Sequence, residues 1–143
     1  MNQDTVKLLR ECNAGIKMGE SAMKRVIPKV KNENMKKALE TCRATHTELG
    51  NKTHSLLKEN GEDTKPPHAI ASVMSDAKIT VKLLMNESDS EIACLMTDGC
   101  NMVIKSLSKC INKYKNADTR AKGIAKEIIA SEEHLGYGMR EFL

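Results

Sequence analysis

The sequence predicts an all-α protein: two long helical hairpins joined by a crossover that carries a shorter helix. Three observations lead there. Apolar residues recur at helical spacing along nearly all of the 143 residues, and no strand pattern of period two survives. Aromatics are only 2% of the chain, so the core must be Leu, Ile, Val, Met, Ala and Cys, a palette that suits close-packed helices. Two turn signals, "KNEN" at 31–34 and "KNAD" at 115–118, each divide a pair of long periodic segments.

The first helix is expected over 4–31, with Val6, Leu9, Ile16, Met23, Ile27 and Val30 forming one buried stripe. Pro28 falls in its last turn and should bend or end it. The second runs about 34–60 through Met35, Leu39, Cys42, Leu49 and Leu56, and Gly61 just beyond is placed to cap it. "EDTKPP" (62–67) then breaks the chain. A shorter helix is expected over 68–85, with Ile70, Val73, Ala77, Val81 and Leu84 in register. Ser88 and Glu91 have the spacing of a capping box, so a new helix starts there and runs to about Tyr114 through Ile92, Met96, Val103, Leu107 and Cys110. The last helix uses Ala121, Ile124, Ile128, Leu135, Met139 and Phe142.

The halves resemble each other. "KNENMKKA" (31–38) and "KNADTRAK" (115–122) lie 84 residues apart, as do Gly15 and Gly99, and "HTELG" (46–50) matches "EEHLG" (132–136) at 86. The chain therefore reads as one domain over 1–143. Hairpin 1 covers about 4–60, the crossover about 61–90 and hairpin 2 about 91–143. Short turns make each pair antiparallel, and a four-helix bundle with one long crossover is the ferritin-like arrangement.

"LLRECNAGI", "KKALETCRATHTELG", the helical crossover after "KPP" and "KGIAKEIIASEEHL" resemble a bacterial family of ferritin-like bundles related in shape to the rubrerythrins, a domain of unknown function. The resemblance spans nearly the whole chain. It implies the bundle fold and no assigned activity.

A di-iron bundle needs one Glu from each of two helices and a Glu-x-x-His from each of the others. This chain lacks that set. Arg43 stands three residues before His46, and Ser131 three before His134. Three other polar groups fall inside buried stripes. At 100° per residue, Glu20 lies about 40° from Ile16, His46 lies near Cys42 and Leu49, and Glu132 near Ile128 and Leu135. Distance from the turns and the repeat put Glu20, His46 and Glu132 at one height. Asn13 is a fourth inward polar group. Three readings compete for the trio: a hydrogen-bonded cluster that fixes helix register, a single-metal site suited to iron, manganese or zinc, and a degenerate di-iron site. Glu133 and His134 fall off the stripe and should face solvent or an oligomer contact, and His54 and His68 read as surface.

Nine Met and five Cys invite a soft-metal reading, but the thiols do not pair a turn apart on one face, and core filling is preferred. Odd cysteine number with no CxxC favours reduced thiols in a cytoplasmic chain. No apolar run is long enough to cross a membrane, and the N-terminus lacks the pattern of a secretory signal. The net charge of +4 is mild. Lysines flank both turns without interleaved aromatics, so nucleic-acid association ranks below a solvated helix end. Phosphate loops and nucleophile elbows are absent from the sequence. The expected function is a non-enzymatic bundle acting through its surface, with no cofactor, as a homodimer or larger assembly. The alternative is a rubrerythrin-type metal or redox protein using Glu20, His46 and Glu132, and a second alternative is a DNA-associated stress protein.

Overall fold

The computed structural model describes residues 1–65, 67 and 88–143. Among them are four α-helices and no strand: α1 (Gln3–Val26), α2 (Glu33–Glu59), α3 (Asp89–Lys113) and α4 (Thr119–Met139). The helix expected over 68–85 lies outside the described residues. No helix among them is long and apolar enough to cross a membrane.

Each helix begins where a polar side chain can take up free backbone N–H groups. Asn2 accepts from Thr5, Asn32 from Asn34 and Met35, Ser88 from Glu91, and Asp118 from Ala121. Pro28 ends the first helix earlier than the expected 31. It has no N–H to continue the ladder, and the chain tightens into a 3-10 turn over Ile27–Lys29. Gly61, at φ +72°, lets α2 close as a Schellman motif. Its N–H donates to the Lys58 carbonyl at 3.0 Å, and that of Glu62 donates to the Leu57 carbonyl at 2.9 Å. The last helix stops at Met139, and Phe142 falls in a closing 3-10 turn, Arg140–Phe142.

The two halves grip each other at their ends. The Asp89 carboxylate, in the first turn of α3, accepts from the Lys31 and Asn32 N–H groups, both at 2.9 Å. At the other end, Asp4 in the first turn of α1 accepts from the Asn116 N–H at 3.0 Å. Thr5 Oγ1 accepts from the Asp118 N–H at 2.8 Å, and Asn2 Nδ2 donates to the Asn116 carbonyl at 2.8 Å. The start of each half thus holds the turn of the other. The caps also explain the two repeat spacings. "KN" recurs at 84 residues, but the second turn is two residues longer before its cap, so Asn32 and Asp118 stand 86 apart.

Helix α1 packs on α2, α3 and α4, and α2 and α3 both pack on α4. Its burial is therefore wider than the one stripe expected. Every residue from Glu11 to Ile16 is buried. The core divides into two clusters. One gathers Val6, Leu9 and Ile16 with Leu57, Leu107 and Ile124. The other gathers Met23 and Val26 with Met35, Leu39, Ile92 and Met139. Arg10 and Asn13 fasten the chain leaving α2. Arg10 Nη2 pairs with Glu62 at 3.1 Å and Asp63 at 3.0 Å, and Asn13 Nδ2 donates to the Thr64 carbonyl at 3.4 Å.

Because one carboxylate receives two backbone N–H groups, Asp89→Ala is expected to lower stability by about 1–2 kcal/mol. Chemical denaturation of the two proteins measures it. Equal midpoints would mean the grip on the first turn contributes nothing.

Candidate functional site

Between the two core clusters lies a polar layer. On α2, His46 separates Cys42 from Leu49. On α4, Glu132 separates Ile128 from Leu135. Each stands fourteen residues past its N-cap, so the equal helix starts bring them to one place. His46 Nε2 meets Glu132 Oε1 at 2.7 Å, with the imidazole fully buried and the carboxylate nearly so.

The other face of the ring is also occupied. His46 Nδ1 lies 2.9 Å from the carbonyl oxygen of Cys42, one turn back on α2. A carbonyl only accepts, so Nδ1 carries a hydrogen. The Cys42 sulfur is 3.5 Å from the same nitrogen and 3.5 Å from Ser131 Oγ on α4. Burial by itself would lower the affinity of the imidazole for its second proton. The Cys42 and Glu132 hydrogen bonds outweigh it and push His46 up to about 10. Both ring nitrogens face oxygen acceptors, which favours the doubly protonated ring.

Helix α1 closes the layer with a residue that has no side chain. A Cβ on Gly19 would stand 2.9 Å from both Cδ2 and Nε2 of His46, and 3.6 Å from Glu132 Oε1. A Cβ there would collide with a ring fixed at both ends, so glycine is required by close approach. Cys100 of α3 completes the surroundings. Its thiol is pushed up by burial first and by Glu132 next.

Of the three sequence-predicted residues, the structure brings together His46 and Glu132. Glu20 is half-buried, and its Oε1 lies 3.5 Å from where a Cβ on Gly50 would be, one turn along α2 from His46. Among the described residues, no group of three or more His, Cys, Asp or Glu side chains is arranged to hold a metal ion. Glu133 and His134 are exposed, as their angles predict, His54 is exposed too, and His68 lies outside the described residues. Asn13 is buried but turns to Thr64, away from this layer. Sequence reasoning passed over Gly19, Cys42 and Ser131 as members of the layer. A mid-helix Gly costs about 1 kcal/mol relative to Ala, which is the signal that marks Gly19. Within its own helix Cys42 reads as core filling, and Ser131 shows only as the absence of a carboxylate three residues before His134.

One further buried acid stands outside the layer. Glu11 Oε2 has no hydrogen-bond partner among the described residues. Burial raises the proton affinity of this carboxyl, with Lys113 partly opposing.

The His46 geometry sets a pH dependence. Its folded-state value lies above the ordinary 6.5, so its contribution to stability is complete below pH 6.5 and is lost as pH rises through about 10. Denaturation of the wild type should show a fall in stability between these limits that His46→Gln lacks. Parallel pH profiles for the two proteins would contradict the assignment.

In comparisons with protein-family models, curated proteins and solved structures, the chain finds no match.

Proposed function

We propose that this protein is a ferritin-like bundle without a di-iron centre, acting non-enzymatically as an interaction or assembly protein. In this reading its two antiparallel hairpins, joined by a crossover, are related in shape to the rubrerythrins, and it works in the cytoplasm as a homodimer or larger homo-oligomer. The single observation that carries it is the closure of the polar layer. Both ring nitrogens of His46 are engaged by groups of its own chain, so neither is open to a ligand. A polar layer spent in this way specifies how helices meet and leaves recognition to the surface.

The second reading, a metal or redox protein with iron, manganese or zinc at Glu20, His46 and Glu132, is favoured by one observation. A buried imidazole and a buried carboxylate do meet in mid-bundle. Metal binding there requires His46 Nε2 to lose its proton and exchange the Glu132 hydrogen bond for a bond to the ion.

Light scattering together with metal analysis of the purified protein separates the two. The proposal expects metal-free protein with the mass of a dimer or larger. Stoichiometric metal that disappears in Glu20→Ala and His46→Ala would establish the second reading instead. A metal-free monomer at micromolar concentration would remove self-assembly from the first.

A further inference from the structure

We infer that the outer face of α3, with the neighbouring flank of α4, is a docking surface for duplex DNA, held through the phosphate backbone. This goes beyond the assembly reading and does not depend on it, because one protomer carries the whole face.

The charge of the chain is unevenly spread. Residues 99–126 hold seven of the 23 Lys and Arg and one of the 19 acids. Seven cations against one acid leave that segment at +6, and sixteen against eighteen leave the rest of the chain at −2. The one acid, Asp118, caps α4 and pairs with Arg120 at 3.5 Å, so the charge left over belongs to lysines.

The fold gathers these lysines on one side. Lys105, Lys109 and Lys113 recur at every fourth residue of α3, and all three are exposed. Each step is about 6 Å along the helix axis. The short turn after α3 brings α4 back beside it, and the two helices pack together. On α4, Glu127 and His134 line the groove against α2. Lys126 is turned about 100° from Glu127 and Lys122 about 140°, onto the flank away from α2. Lys122 Nζ donates to the Lys115 carbonyl at 2.7 Å, which holds it at the turn. Among the described residues, Lys105, Lys109, Lys122 and Lys126 form no ion pair. Lys113 stands at the edge, over the Tyr114 ring and near Glu11. The face ends where acids return, at Asp98 on α3 and Glu133 on α4.

The chemistry of the face selects its partner. A dense row of lysines without neutralising acids complements a polyanion. A duplex offers about one charge per 1.7 Å of its axis, so it meets several of these lysines at once. Single strands are held by stacking on exposed aromatic rings, and Tyr114, the aromatic beside this face, is half-buried. Anchoring in a membrane uses exposed apolar side chains. The large exposed ones among the described residues are Met1, Tyr137 and Leu143, and none belongs to this face. A single helix with an exposed outer side fits the B-form major groove, about 12 Å wide, whereas the major groove of duplex RNA is too narrow. Lysines contact phosphate as point charges, and Arg120 is taken up by Asp118, so binding is independent of base sequence.

Fluorescence polarisation of a labelled mixed-sequence DNA duplex, titrated with the full-length protein, tests this. Four lysines in contact predict a log–log salt slope of about −4, a loss of roughly a hundredfold between about 50 and 200 mM salt. Lys105→Gln with Lys109→Gln should make the slope shallower by about 2. Lys52→Gln with Lys58→Gln removes the same charge from the exposed side of α2 and should leave the slope unchanged. Equal effects of the two pairs overturn the inference, because net charge and not this face would then bind. So does the absence of binding at low salt. Binding to duplex RNA as tight as to DNA overturns it too, as does tighter binding to vesicles of equal parts phosphatidylcholine and phosphatidylserine.

Discussion

An imidazolium and a carboxylate shut inside a helical bundle are tolerated only while each has the other. That requirement joins α2 to α4 through His46 and Glu132, and other features of the core follow from it. The pair fixes the axial position of α2 against α4, because sliding either helix by one turn would leave a buried charge alone. It fixes the approach of α1, because only a residue without a side chain fits over the ring at Gly19. It also separates the apolar core into two clusters, one on each side. Taken out of water, such a pair adds little net stability, whereas removing one member is strongly unfavourable. Its role is to make one register far better than its neighbours.

The ends of the bundle repeat the same logic with weaker groups. Asp89 and Asp4 each take turn N–H groups from the opposite half, and the N-caps set both turns. With the ends held this way and the middle locked, helix starts in the two halves correspond, and His46 and Glu132 occur at equivalent positions. The repeat in the sequence is thus a physical statement. Equal distances from equal caps bring two different polar residues face to face.

Much of this was legible from residue spacing. The periodic stripes gave the four helices, Gly61 and Ser88 marked ends as the backbone uses them, and the repeat paired His46 with Glu132. Other parts were not legible, for identifiable reasons. A single stripe assumes one buried face, but α1 is surrounded from Glu11 to Ile16, so an inward angle does not say which neighbour a side chain meets. That is how Glu20, on the same stripe, comes to lie over Gly50. Gly19 carries no side chain for periodicity to register. The Cys42 and Ser131 contact joins two helices, and no pattern within either one reports it. The length of Pro28's effect was also beyond periodicity, since the turn it forces depends on how the chain is held on both sides.

The central claim is that His46 and Glu132 act as one unit. A double-mutant cycle with His46→Leu and Glu132→Leu, measured by chemical denaturation, tests it most directly. The account predicts that each single change costs about 3–5 kcal/mol. The double change should cost far less than their sum, with a coupling of at least about 2 kcal/mol. Single costs that simply add would contradict it, because two residues that stabilise independently are not a closed pair.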